Sequence, residues 1–147
     1  MAAAVIRYGF AAALSVVLLA LPAALAAQGP AYVAPYSPTA LDLLLKTGFK
    51  RYLAARQSTP PAAEMFEFWE SHPELEFKTY ARDIGSWARY DPASGLIEIS
   101  GSLLDVCGID ASARNVTTES LARFLRLSAP SLLHESVHAR THAELGF

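Results

Sequence analysis

The chain has 147 residues, 52% of them hydrophobic and 18% charged, with a formal net charge of -2, which bounds it to one domain of globular or partly membrane-directed character. It has no basic run and no basic patch interleaved with aromatics, which argues against nucleic acid as a partner. Its single cysteine, Cys107, cannot form an intrachain disulfide, so a hydrophobic core must hold the fold together.

Residues 1–27 stand apart from the rest as a signal peptide. Arg7 gives a short positive start, Phe10 to Leu21 an apolar run, and Ala24-Leu25-Ala26 the small-x-small pattern that a signal peptidase cuts. The expectation is export to the periplasm or the extracellular space after cleavage near Ala26. The competing reading is a membrane anchor, since Gly9 to Ala27 is nearly long enough to span a bilayer. Pro22 and the small residues behind it favour cleavage, so membrane contact is expected only through an uncleaved N-terminal segment. Residues 28–38, with Pro30, Pro35 and Pro38, read as an extended lead-in.

The folded domain is expected over residues 39–147. From Thr39 to Arg56, Leu41, Leu44, Leu45, Phe49, Tyr52 and Leu53 recur at three and four, the pattern of an amphipathic helix. Ser58-Thr59-Pro60-Pro61 ends it and opens a second helix, with Thr59 as N-cap and Met65, Phe66 and Trp69 on one side. Aromatic stripes of this kind serve the core more often than a ligand. After His72-Pro73 the period becomes two, with Leu75, Phe77 and Thr79 alternating against charged neighbours as in a half-buried strand. Trp87 to Tyr90 and Leu96 to Ser100 flank the turn cluster Asp91-Pro92-Ala93-Ser94-Gly95, a hairpin signal. Together these runs predict a small antiparallel sheet.

Residues 101–107 read as a short helical or irregular piece ending at Gly108. A polar loop follows, with Thr117 or Thr118 capping a helix through Glu119, Leu121, Phe124 and Leu125. Asn115-Val116-Thr117 matches the N-glycosylation acceptor pattern, a short pattern with little weight alone. Ser128 is then read as the cap of a separate last helix, with Pro130 in its first turn. The fold class is thus α+β: helices packed on a small antiparallel sheet, closed by a C-terminal helix.

That last helix carries His134-Glu135-Ser136-Val137-His138, an HExxH pattern. Residues four apart share a helix face about 6 Å apart at Cβ, so the two imidazoles can converge on one metal ion, with zinc the expected ion. Glu135 lies about 100° further round, where a carboxylate can act as general base on water at the open side of the ion. The bland alternative is a histidine pair that is solvated or satisfied in the core. Leu132, Leu133 and Ala139 suit a packed helix, whereas Arg140 does not.

The order of elements, with the run from Trp87 to Ser100 followed by the HExxH helix, resembles the N-terminal half of a zincin-fold metallopeptidase. The resemblance covers roughly residues 70–147 and has one sharp motif. It implies a partial zincin-like fold, His134 and His138 as zinc ligands, and Glu135 as the base that deprotonates the attacking water. It also implies a strand ahead of the active helix, Leu96, Ile97, Glu98, Ile99 and Ser100, that pairs with extended peptide or protein substrate. The expectation is an exported zinc-dependent peptidase; the alternative is a non-catalytic envelope module that keeps the shape for binding or scaffolding.

A catalytic zinc takes three protein ligands and a water, and this motif supplies two. His142 cannot share an ion with His134, because eight residues of straight helix rise about 12 Å. Gly146 does not match the metzincin spacing, and Glu144 projects roughly 240° round from His138. Three explanations remain, in this order: a third ligand beyond Phe147, with the domain incomplete at its C-terminus and no stop to the helix at Leu145-Gly146-Phe147; a third ligand from earlier in the chain, an acidic residue or His72; or no third ligand, leaving a two-ligand remnant that binds metal weakly and catalyses nothing.

Overall fold

The computed structural model describes residues 36–111 and 116–146. The leader, most of the lead-in and the Asn115 acceptor lie outside the described residues. Among the described residues the architecture is α+β. Helix α1 (Ala40–Ala54) and helix α2 (Pro60–Ser71) are followed by strands β1 (Glu76–Thr79), β2 (Ala88–Asp91) and β3 (Leu96–Ile99), then by helices α3 (Gly101–Cys107) and α4 (Thr118–Leu145). None of these helices is long and apolar enough to cross a membrane.

Local chemistry sets the ends of these elements. Thr39 caps α1 in a capping box with Asp42. The Asp42 carboxylate is fully buried and does more than cap. Its Oδ2 accepts from the Thr39 amide and hydroxyl, each at 2.7 Å, and its Oδ1 from the Thr79 amide and hydroxyl, each at 2.8 Å. One side chain therefore fastens the start of α1 to the end of β1, with its lone pairs satisfied as burial requires. At α2, Thr59 holds the N-cap position without a side-chain bond to the helix, its hydroxyl donating to the Arg56 carbonyl at 2.8 Å, and the prolines at the first helical positions set the start instead.

The sheet differs from the antiparallel one that the sequence predicts. Its order is β1-β3-β2. The hairpin forms as expected, with β2 antiparallel to β3 and Asp91 opposite Leu96, but β1 pairs with β3 in parallel, Phe77 opposite Ile97. The sheet is mixed because the chain runs from β1 past the middle position, lays β2 at the far edge and returns through the hairpin into the gap. Gly101, just after β3, lets this happen: a Cβ there would lie 2.6 Å from the Ala81 carbonyl carbon, and its amide donates to the Arg82 carbonyl at 2.9 Å.

The core lies between the helices and the sheet, around Phe49, Trp69 and Phe77. Trp69 meets Phe49 and Phe77 edge-on at ring separations of 5.8 and 5.3 Å, contacts worth about 0.5–1.5 kcal/mol each beyond burial.

The last helix is one element of 28 residues and not the two that Ser128 and Pro130 suggest. Ser128 does not cap: it is fully buried and its hydroxyl donates back to the Phe124 carbonyl at 2.7 Å, one turn earlier in a continuous helix. Thr117 is the cap, in a box with Ser120. Packing of Phe124, Ala129 and Leu132 in the interior outweighs the hydrogen bond lost at Pro130. The helix also has a stop. Gly146 takes the left-handed conformation at φ 72°, and its amide returns to the His142 carbonyl.

Candidate functional site

The rotation of α4 about its axis is set from inside the protein. Ser136, the middle residue of the HExxH run, is fully buried. Its Oγ accepts from the indole nitrogen of buried Trp69 at 3.0 Å and donates to the Leu132 carbonyl at 2.6 Å. At about 100° per residue, Ser136 lies roughly 200° from both His134 and His138. Anchoring Ser136 inward therefore turns both histidines outward, and both are exposed.

The two imidazoles converge. Their Nε2 atoms are 3.0 Å apart, with ring planes at 82°. Nitrogens each 2.0–2.1 Å from a tetrahedral zinc are about 3.3 Å apart, so small side-chain rotations bring both lone pairs onto one ion. The donor set and spacing thus fit half of a zinc site.

Glu135, one residue round, meets the sheet. Its Oε2 accepts from the backbone amide of Tyr90 at 2.7 Å. That amide belongs to the edge strand and turns away from β3, toward α4. Tyr90 makes a second bridge, with its phenol oxygen 2.7 Å from His142 Nδ1. Burial, and after it the neighbouring Asp91 carboxylate, pushes the Tyr90 phenol above its ordinary range. Glu135, His138, His142, Arg89 and Tyr90 line a groove of about 390 Å³ between the hairpin and α4. A second groove of about 460 Å³, on the other side, has His134, Leu133, Val137 and Met65 in its wall. The histidine pair is the ridge between them.

The strand expected to pair with substrate does not occupy that place. Leu96 to Ile99 form the central strand, hydrogen-bonded on both sides, so no backbone edge is left for an extended peptide. Each of the five residues has another task. Leu96, Ile97 and Ile99 are in the interior. Glu98 accepts from the Tyr80 hydroxyl at 2.6 Å and from Arg89 Nε and Nη2 at 3.0 and 2.5 Å. Burial pushes the Glu98 carboxyl up, but those three donors outweigh it and hold the group below the ordinary glutamate range. Ser100 caps α3 and donates to Asp83 at 3.1 Å. The strand nearest the motif is β2, and its Tyr90 amide is already taken by Glu135.

The other residues that could serve as a third ligand are engaged by the protein. His72 caps the end of α2, its Nδ1 bonded to the Phe68 carbonyl at 2.9 Å and its ring 4.3 Å from that of Phe68. Glu144 is bonded to Arg140, which also reaches Glu64. Among the described residues no group of three His, Cys, Asp or Glu side chains is placed to hold a metal. Sequence reasoning passed over Tyr90, whose role depends on a contact across 45 residues. It also passed over Ser136 as an anchor, although a small polar residue one helical turn from Leu132, Leu133 and Ala139 was the available signal.

No family model, curated protein or solved structure matches the chain.

Proposed function

We propose that the chain is an exported, zinc-dependent peptidase with a partial zincin-like fold, in which His134 and His138 hold the ion and Glu135 is the general base. The observation that carries this reading is the 3.0 Å approach of the two Nε2 atoms with the Glu135 carboxylate in the adjoining groove. A zinc ion held there supplies Lewis acidity, polarising a peptide carbonyl and acidifying a water near neutral pH. The Tyr90 amide fixes the orientation of the Glu135 carboxylate through Oε2, which leaves Oε1 to take the proton of the attacking water. Glu135 then passes that proton to the leaving amine. The groove beside β2 is where a peptide would lie.

A second reading, a metal-holding module without turnover, is favoured by that same bond, because half of the Glu135 carboxylate is already engaged by the strand. Zinc content and peptide hydrolysis of the chain and of Glu135→Gln separate the two. The peptidase reading expects bound zinc in both proteins and a loss of turnover of about 100-fold or more in the variant. Equal turnover in both removes Glu135 from the chemistry, and zinc without hydrolysis in either favours the module.

A further inference from the structure

Two imidazoles meet half of zinc's demand for four ligands, and among the described residues no third metal-binding side chain joins them. The pair sits on an exposed ridge of α4 and not at the bottom of a cleft, so another macromolecule can reach it. We propose that a second copy of the chain completes the site: His134 and His138 of two molecules bind one zinc ion, forming a four-imidazole centre on a two-fold axis. The inference rests on the metal-binding half of the function proposed above and is independent of turnover.

The geometry of four-coordination dictates how the copies meet. In a tetrahedron the line joining one pair of ligands is perpendicular to the line joining the other pair. Residues four apart on a helix place their ring nitrogens along the helix axis, so the two α4 helices cross at a steep angle with the ion between them. The contact is isologous, each copy offering the same patch. That patch is suited to close contact. Val137, between the two histidines in sequence, is 50% exposed, and the groove beside His134 combines apolar Leu133, Val137 and Met65 with Glu64 and Glu144, both ion-paired to Arg140. Val137 lies about 80° round the helix from the middle of the histidine pair, so in such a crossing it flanks the ion, at the edge of the contact, where apolar surface that a single copy leaves wet is covered.

Four imidazoles also fill the coordination shell, which makes the centre a closed structural site. Any hydrolysis by Glu135 then belongs to chains that hold one ion each.

The test is the mass of the purified full chain in solution, by sedimentation equilibrium, with chelator and with zinc raised from half an equivalent to an excess, together with the bound zinc content. The expected result is a twofold rise in mass with zinc, one ion per two chains, return to monomer with EDTA, and a monomer at all zinc levels for His134→Ala and for His138→Ala. Circular dichroism of both variants checks that the exposed substitutions leave the fold intact. One ion per chain on a monomer overturns the dimer and leaves the two-histidine half-site standing. No zinc binding overturns both. A dimer that persists in EDTA or in His134→Ala shows association by another surface and also overturns the proposal.

Discussion

Replacing Ser136 by alanine removes the acceptor for the Trp69 indole nitrogen at a point where both side chains are fully buried. The N–H is left without a partner where water does not reach, which costs about 1–3 kcal/mol. Alanine is the better helix former by roughly 0.5 kcal/mol, and the Leu132 carbonyl that loses the serine hydroxyl keeps its backbone partner in the helix. The net expectation is a destabilisation of about 1–2 kcal/mol, or roughly 5–10 °C in Tm for a domain of this size. Urea and thermal unfolding of Ser136→Ala, Trp69→Phe and the double variant measure it. Phenylalanine has no N–H to strand, so the serine substitution should cost little in that background, giving a coupling energy of about 1 kcal/mol. A loss below about 0.5 kcal/mol in the single variant, or an equal loss in both backgrounds, would refute the argument that this hydrogen bond sets the rotation of α4.

Gly101→Ala should cost about 1–3 kcal/mol, because the new Cβ would lie 2.6 Å from backbone that cannot swing aside. A urea midpoint equal to that of the parent would disprove the close-approach argument. Arg89→Ala should make the protein more sensitive to acid. With Arg89 in place the folded-state pKa of Glu98 is lowered. Its contribution is therefore complete above the ordinary glutamate range and is lost only as pH falls through the lowered value. Without Arg89, burial is opposed by Tyr80 alone and the loss begins at higher pH. The acid-unfolding midpoint followed by circular dichroism should move up, and an unmoved midpoint would show that Arg89 does not hold Glu98 charged.

Patterns confined to one stretch of chain were legible in the sequence. The spacing of Leu41, Leu45, Phe49 and Leu53 predicts α1, and Asp91-Pro92 to Gly95 predicts the hairpin. Convergence of His134 and His138 follows from helix geometry. What the sequence does not disclose is which segments become neighbours. The parallel seating of β1 on β3 depends on a topology that no local period encodes, and it moves residues 96–99 from the expected edge to the centre of the sheet. Pro130 after Ser128 looks like a helix start because local preference favours one, yet burial of Phe124, Ser128 and Leu132 carries the helix through. Asp42 reads as an ordinary helix-start residue; only the fold shows that it also fastens Thr79.

The bond from the Tyr90 amide to Glu135 gives the protein a built-in indicator. An outward-facing amide on an edge strand ordinarily trades its proton with solvent quickly, and here a side chain of the HExxH helix shields it. Whatever draws Glu135 away uncovers that proton, so deuterium uptake at one backbone position reports what the carboxylate is doing.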